Sequence, residues 1–123
     1  MTIEGTVVSG HQLGRKLGYP TANLGIDTLV GEMPAPGVYA AHCRLADGRV
    51  LKAMLNVGYR PTVEQGGAEV SIEAHLLDFD EDLYGQRIQL KLISRIRDER
   101  RMVSLQELRE QLARDLEVVR QIP

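Results

Sequence analysis

The sequence predicts a mainly β protein, a small antiparallel barrel with one helix packed against it near the C-terminus. Short stretches of alternating apolar and polar residues, about six in number, follow one another and are separated by turn-forming residues. Helical periodicity appears only at the end of the chain, so a βαβ arrangement has no support. We expect a single domain over residues 1–123, with the barrel at about 2–97 and the helix at about 104–120.

The first third of the chain predicts two strands and a loop. Residues 2–9 are rich in β-branched side chains and precede Gly10, which predicts the first strand. Residues 24–26 predict a brief second strand. Residues 27–36 contain one glycine and two prolines, a composition that predicts an irregular loop.

The middle of the chain predicts an antiparallel hairpin. Residues 37–45 and 49–57 both alternate, and Asp47-Gly48 between them is typical of a two-residue turn. The alternation places one set of mostly apolar side chains on a common face: Tyr39, Ala41, Cys43, Leu45, Leu51, Ala53, Leu55 and Val57. Cys43 is expected to be a small core residue.

Two more strands and the helix complete the pattern. Residues 69–79 alternate, with Ser71, Glu73 and His75 on the polar face, and residues 87–97 alternate up to Ile93, where a slip predicts a bulge. A helical stripe then follows, starting at a capping box of Ser104 and Glu107 and a hydrophobic staple of Val103 and Leu108. The stripe consists of Leu105, Leu108, Leu112, Leu116 and Val119.

Composition and charge exclude several classes of protein. Apolar residues make up 43% of the chain and charged residues 26%, with no long apolar run and no basic-then-apolar start, so we expect a cytoplasmic protein and no membrane partner. The net charge of −2 gives no general attraction for nucleic acid. One cysteine excludes an internal disulfide and a cysteine-rich zinc site. No obligate protein partner is evident.

Residues 14–23 form the stretch most suited to a site. The glycines, basic residues and proline precede a hydroxyl and a carboxamide, a composition suited to phosphate oxygens and a hard metal ion. In order, these residues are Gly14, Arg15, Lys16, Gly18, Pro20, Thr21 and Asn23. The Walker A spacing is absent. The alternative interpretation is a surface turn between two strands.

Glu73 and His75 are the candidates for acid–base chemistry. Being two residues apart on a strand, they share a face and would be able to flank a substrate hydroxyl. The alternative is that both lie on a solvated face. Motifs of zinc hydrolases and serine esterases are absent.

Several of these segments together resemble the riboflavin kinase family, also found as the C-terminal half of bacterial bifunctional FAD synthetases. The matching segments follow the family's order from about Gly5 to Asp115: G14-R-x-L-G-Y-P-T-A-N23, P36-G-V-Y39, N56-V-G-Y-R-P-T62, E73-A-H-L-L-D-F79, D82-L-Y-G85 and I96-R-x-E99. The P-T-A-N segment combined with the later E-x-H strand is the specific part of the resemblance.

The resemblance implies a six-stranded closed Greek-key barrel in which ATP and riboflavin react to give FMN and ADP. It implies that Glu73 is the catalytic base and that Thr21 and Asn23 lie at Mg²⁺ and the phosphates of ATP. Arg97 and the segment after it resemble the family's flap near the flavin, which implies flavin binding by Arg97 and Met102. Met102 stands where the family usually has phenylalanine.

Two other classes of protein compete with this kinase. One is a flavin sensor or carrier that kept the barrel without turnover, and the joint presence of Thr21, Asn23 and Glu73 argues against it. The other is a nucleic-acid barrel of the OB type, disfavoured by 4% aromatic residues and the negative net charge. The nucleotidylyltransferase half of the bifunctional enzymes is not in this sequence, so we do not expect FAD synthesis.

Overall fold

The described residues form six strands and one helix. The computed structural model describes residues 1–11, 21–30, 33–61, 68–100 and 102–123; of residues 9–11, 21, 26–30, 60–61 and 68–69 it describes the backbone only. In chain order the elements are β1 (Thr2–His11), β2 (Thr21–Val30), β3 (Gly37–Arg44), β4 (Val50–Pro61), β5 (Ala68–Leu76), β6 (Arg87–Arg97) and α1 (Leu105–Arg120).

The strands close into an antiparallel barrel in the order β1-β2-β5-β4-β3-β6. Strands β3, β4 and β5 follow one another as neighbours and β6 returns beside β3, which is the Greek-key arrangement. The mainly β class, the six-stranded closed barrel and the C-terminal helix are therefore confirmed. Between β2 and β5 the barrel is closed by two residue pairs, Ala22 with Ala74 and Asn23 with Glu73.

Three strands are longer or end elsewhere than the sequence pattern indicates. Strand β2 extends to Val30, so the loop expected over residues 27–36 is wrong in its first part: residues 28–30 pair with residues 2–4 of β1. Strand β4 continues through Gly58 to Pro61, paired with β5. Strand β5 ends at Leu76, and Leu77 and Asp78 turn away.

The hairpin between β3 and β4 is confirmed, but its turn differs from the predicted one. The amide of Leu45 donates to the carbonyl of Arg49, which leaves a three-residue loop of residues 46–48 rather than a two-residue turn. Gly48 has φ of 94°, the left-handed conformation that closes such a loop. Asp47 stabilises the turn by accepting from the amide of Arg49 at 3.0 Å.

The barrel interior is the main hydrophobic core. It contains side chains from all six strands, among them Ile3, Leu24, Leu55, Ile72 and Leu90, each at most 7% exposed. Cys43 is fully buried there as expected, and burial raises the pKa of its thiol to about 12. Because apolar groups fill the interior, a polar site is left to the outer face or the ends of the barrel.

Helix α1 covers part of that outer face. Leu116 and Val119 pack against Val38 and Ala40 of β3 and Met54 of β4, forming a second apolar cluster outside the barrel. The predicted stripe is thus confirmed in its second half. Its first member is wrong, because Leu105 is 58% exposed, whereas Leu108 is half-buried.

The start of α1 is capped differently from the predicted box. Ser104 is the N-cap, and its Oγ accepts from the amide of Glu107 at 3.1 Å, as expected. The carboxylate of Glu107, however, accepts from the amide of Val103. The staple is wrong, since Val103 is 91% exposed.

The bulge predicted in β6 is confirmed. Leu92 pairs with Ala41 and Ser94 with Ala40, so Ile93 is the extra residue; a second irregularity occurs at Ile96. These bulges bring Arg97 opposite Val38 at the end of the strand. The described part of the chain contains no helix long and apolar enough to cross a membrane.

Candidate active site

Strand register brings Glu73 between two asparagines on the outer face of the barrel. Glu73 of β5 pairs with Asn23 of β2 on one side and with Asn56 of β4 on the other. Paired residues project to the same face of a sheet. The flanking residues, such as Ala74 and Leu55, are buried inside the barrel, so the three polar side chains lie outside it. We call Asn23, Glu73 and Asn56 the polar row.

The polar row is a set of oxygen acceptors in a partly enclosed position. The Oδ1 atoms of Asn23 and Asn56 are both buried, whereas the Glu73 side chain is half-buried and keeps contact with solvent. No residue in the described ranges donates a hydrogen bond to Asn56 Oδ1. Three adjacent oxygen-bearing groups favour a ligand that brings hydrogen-bond donors or a hard cation.

The polar row fits one end of a magnesium site. Within the described ranges no group of three His, Cys, Asp or Glu side chains is placed to hold a metal ion. Mg²⁺ needs less than that, because it is usually held by one or two protein oxygens together with substrate phosphates and water. The buried carboxamide oxygen of Asn23 is a ligand of this kind. Thr21 lies two residues earlier on β2, and only its backbone, paired with His11, is described.

Most of the predicted phosphate-binding stretch lies outside the described residues. This applies to Gly14, Arg15, Lys16, Gly18 and Pro20, whose predicted roles stay predictions. The last part of the stretch is strand and not turn, since residues 21–23 begin β2 and pair with residues 9–11 of β1. The backbone pairing thus fixes where the segment enters the barrel, directly beside the polar row.

Arg97 lies two strands from Asn56, on the other side of β3. Asn56 pairs with Val38, and Val38 pairs with Arg97 at the end of β6. The Arg97 guanidinium binds Asp115 of α1, with Nε 3.0 Å from both carboxylate oxygens and Nη2 2.9 Å from Oδ2. Asp115 is 2% exposed and also accepts from Gln111 at 2.9 Å. The helix therefore holds Arg97 in place.

The segment after β6 borders the row at β4. A Cβ on Gly58 would lie 2.9 Å from Glu99 Oε1, so the Glu99 side chain passes directly over Gly58, two residues from Asn56 on the same face. Arg95 supports this segment by donating to Asp98 at 2.5 Å and to the carbonyl of Pro36 at 2.6 Å. The Asp98 carboxylate raises the pKa of Arg95. Met102 is half-buried just before the helix cap.

The structure brings together some predicted residues and adds one. Asn23 and Glu73 are adjacent, and His75, which is buried, lies on the same face of β5 opposite Met54. Arg97 is three strands away from Glu73. Asn56 lies within the predicted strand 49–57, but the sequence pattern alone assigned it no role in the site. The signal that identifies it is an asparagine within the alternating strand β4, where that residue type is disfavoured unless it has a polar role.

The barrel and the polar row define a class, a closed antiparallel barrel that bears its polar site on the outer face beside a terminal helix. Within that class the chain belongs to the riboflavin kinase family, because the family model described as "Flavokinase: Riboflavin kinase" matches residues 1–123. The resemblance noted in the sequence is thereby confirmed at the level of the family.

Individual relatives agree with this assignment. The bifunctional riboflavin kinase/FMN adenylyltransferase of Escherichia coli strain K12 is 45% identical over 113 residues, which are 92% of this chain and 35% of the relative. The chain thus spans about a third of the length of that relative.

Two solved structures share the fold. One, from Streptococcus pneumoniae and described as a macrolide-efflux protein, has a TM-score of 0.90 and 36% identity, covering 99% of this chain and 39% of its own. The riboflavin kinase of Trypanosoma brucei has a TM-score of 0.64 at 23% identity, covering 97% of this chain and 76% of its own, which shows the fold alone.

Proposed function

We propose that this chain is a riboflavin kinase, which transfers the γ-phosphate of ATP to the 5′-hydroxyl of riboflavin and forms FMN and ADP. Family membership supports the reaction, and the observation that carries the site is the placement of Glu73 between Asn23 and Asn56 on three adjacent strands. A half-buried carboxylate held by backbone pairing is suited to accept a proton from a bound hydroxyl.

The proposed step is a direct phosphoryl transfer. The 5′-oxygen of riboflavin forms a bond to the γ-phosphorus while the bond from that phosphorus to the bridging oxygen of ADP breaks, and the hydroxyl proton passes to the Glu73 carboxylate. Such reactions depend mainly on positioning and on neutralising phosphate charge. Glu73 therefore needs to orient the hydroxyl as well as to accept its proton.

The remaining roles follow the order of residues on the barrel surface. Thr21 and Asn23 would hold Mg²⁺, which when bound supplies charge neutralisation at the phosphates of ATP. Gly14, Arg15, Lys16, Gly18 and Pro20 precede them and would hold those phosphates. Arg97 and Met102 would contact the flavin, at the far side of Asn56 from the nucleotide.

We also propose a cellular compartment, a domain extent and small-molecule partners for this chain. A kinase that uses ATP is expected in the cytoplasm, and the reduced, buried Cys43 is compatible with that compartment. We treat residues 1–123 as one kinase domain. Riboflavin, FMN, ATP and ADP are then its small-molecule partners, and the net charge of −2 offers nothing for nucleic acid.

The test is incubation of the purified chain with riboflavin, ATP and Mg²⁺, with flavins and nucleotides separated by chromatography. We expect FMN and ADP in equal amounts, and a loss of at least about 100-fold in kcat for Glu73→Gln, the usual size of a general-base effect. Glu4→Gln is the matched control, because Glu4 is a strand carboxylate that accepts from Gln89 on β6, away from Asn23. Its activity should stay near that of the wild type.

The same assay distinguishes the kinase from the alternative, a flavin sensor or carrier. If riboflavin binds but no FMN forms with ATP, with other nucleoside triphosphates or with other divalent metals, the chain is a flavin sensor or carrier. If Glu73→Gln retains full activity while the wild type is active, the kinase reaction stands and the assignment of the base is wrong.

A further inference from the structure

Asn56 has a buried acceptor that the described residues leave without a donor. Its Oδ1 is inaccessible to solvent, and in the described part of the chain no group donates a hydrogen bond to it. Leaving such a group unsatisfied destabilises the folded protein. A polar side chain kept at this cost, next to the proposed catalytic base, indicates that a ligand supplies the missing donor.

The position of Asn56 in the barrel selects the part of the ligand that reaches it. Neighbouring strands are about 4.8 Å apart, so Asn56 lies roughly one such spacing from Glu73 and two from Arg97, with Val38 between. Asn23 is on the opposite side of Glu73. Asn56 is therefore on the side of the base that faces Arg97, away from the expected site of the metal and nucleotide.

The chemistry of the two substrates then leaves the ribityl hydroxyls of riboflavin as the donors nearest to Asn56. The phosphates of ATP are acceptors without protons to donate, and the flavin ring would lie farther along the row, beyond apolar Val38. Between the reacting 5′-hydroxyl and the flavin ring, riboflavin has a ribityl chain with three more hydroxyls. Each of them is a hydrogen-bond donor that an amide oxygen can accept.

We propose that Asn56 Oδ1 accepts a hydrogen bond from the 4′-hydroxyl of riboflavin, the ribityl hydroxyl next to the reacting one. This inference rests on the proposed function. Asn56 is thus a substrate-binding residue that fixes the end of the ribityl chain so that the 5′-hydroxyl faces Glu73. The Glu99 side chain over Gly58 borders the same stretch of β4 and encloses it.

The experiment combines a change in the substrate with a change in the protein. Wild type and Asn56→Ala are each assayed with riboflavin and with 4′-deoxyriboflavin, which keeps the 5′-hydroxyl. Removing one partner of a substrate hydrogen bond leaves the other unpaired, so we expect wild-type kcat/KM to fall about 10- to 100-fold with the deoxy substrate. Asn56→Ala should lose a similar factor with riboflavin and differ less than about 3-fold between the two substrates.

Ser71→Ala is the matched control. Ser71 pairs with Gly58 and lies on the same face of β5, two residues from Glu73. This variant should discriminate between the two substrates as strongly as the wild type. The proposal is overturned if Asn56→Ala still discriminates as the wild type does, so that the two losses multiply.

Two further measurements keep the inference separate from folding and from the proposed function. If Asn56→Ala fails to fold, Asn56→Leu is used in its place, because leucine fills a similar volume and has no acceptor. A wild-type kcat/KM that differs less than about 3-fold between riboflavin and 4′-deoxyriboflavin overturns the inference without any variant. Quenching of flavin fluorescence gives the dissociation constants of both substrates. Should the wild type form no FMN, the kinase reaction fails while the pattern of binding constants still decides the role of Asn56.

Discussion

Replacing Asp115 by asparagine tests how firmly helix α1 is attached to the barrel. Asp115→Asn keeps the shape of the side chain and an oxygen for Gln111, but it leaves the Arg97 guanidinium without its counter-charge. The side chains of Arg97 and Asp115 are 19% and 2% exposed. Breaking a buried pair costs about 3–5 kcal/mol, and because Arg97 keeps some water and its bond to the Asp98 carbonyl, we expect about 3 kcal/mol.

Urea unfolding followed by circular dichroism measures this loss. For a protein of this size the free energy of unfolding falls by roughly 2 kcal/mol per molar urea, so the midpoint should decrease by about 1.5 M. Asp78→Asn is the control: Asp78 is 78% exposed and contacts Arg120 at 3.3 Å. Asparagine tolerates the positive φ of residue 78, and the expected cost is below about 1 kcal/mol.

Unfolding of Asp115→Asn at the same urea concentration as the control would contradict this prediction. In that case the ion pair would behave as a surface pair despite its burial. A double variant with Arg97→Gln removes both charges and should recover part of the loss, since the unpaired charge is the main cost.

Two more predictions concern Cys43 and Gly37. Because burial raises the Cys43 pKa from 9.0 to about 12, the unfolded chain loses its proton first, and the free energy of unfolding should fall between pH 9 and 12 by at most about 1.4 kcal/mol per pH unit. Urea titrations at pH 8 and 10 should show this extra decline in the wild type and not in Cys43→Ala; equal declines would contradict it. A Cβ on Gly37 would lie 2.8 Å from the Arg97 carbonyl, so Gly37→Ala should cost about 1–3 kcal/mol by thermal unfolding, and an unchanged midpoint would refute the close approach.

Local patterns were enough to predict the elements whose partners are near in sequence. The β3–β4 hairpin, the bulge at Ile93 and the N-cap at Ser104 all depend on a few neighbouring residues, and all three are present. The details that failed are those in which tertiary packing decides. Leu105 fits the helical stripe by spacing and Val103 fits the staple. The helix packs on the barrel through Leu112, Leu116 and Val119, however, and Val103 and Leu105 remain exposed.

Sequence reasoning predicted two residues of the polar row, Asn23 and Glu73, and missed the third, Asn56. Asn23 and Glu73 are 50 positions apart, and nothing in either segment states that they pair; the resemblance to a family linked them. Asn56 was not among the predicted site residues, because its place beside Glu73 depends on the pairing of β4 with β5, which runs as far as Pro61. Pairing between distant strands is set by closure of the whole barrel, which local alternation does not encode.

The register that builds the polar row has a consequence for how this protein is able to change during evolution. Inserting one residue within β4 or β5 would turn Asn56 or Glu73 toward the apolar interior and bring core side chains outside. Insertions in the exposed loop at residues 46–48 leave that register intact. Homologues and engineered variants should therefore differ in length at such turns and keep the lengths of these two strands fixed.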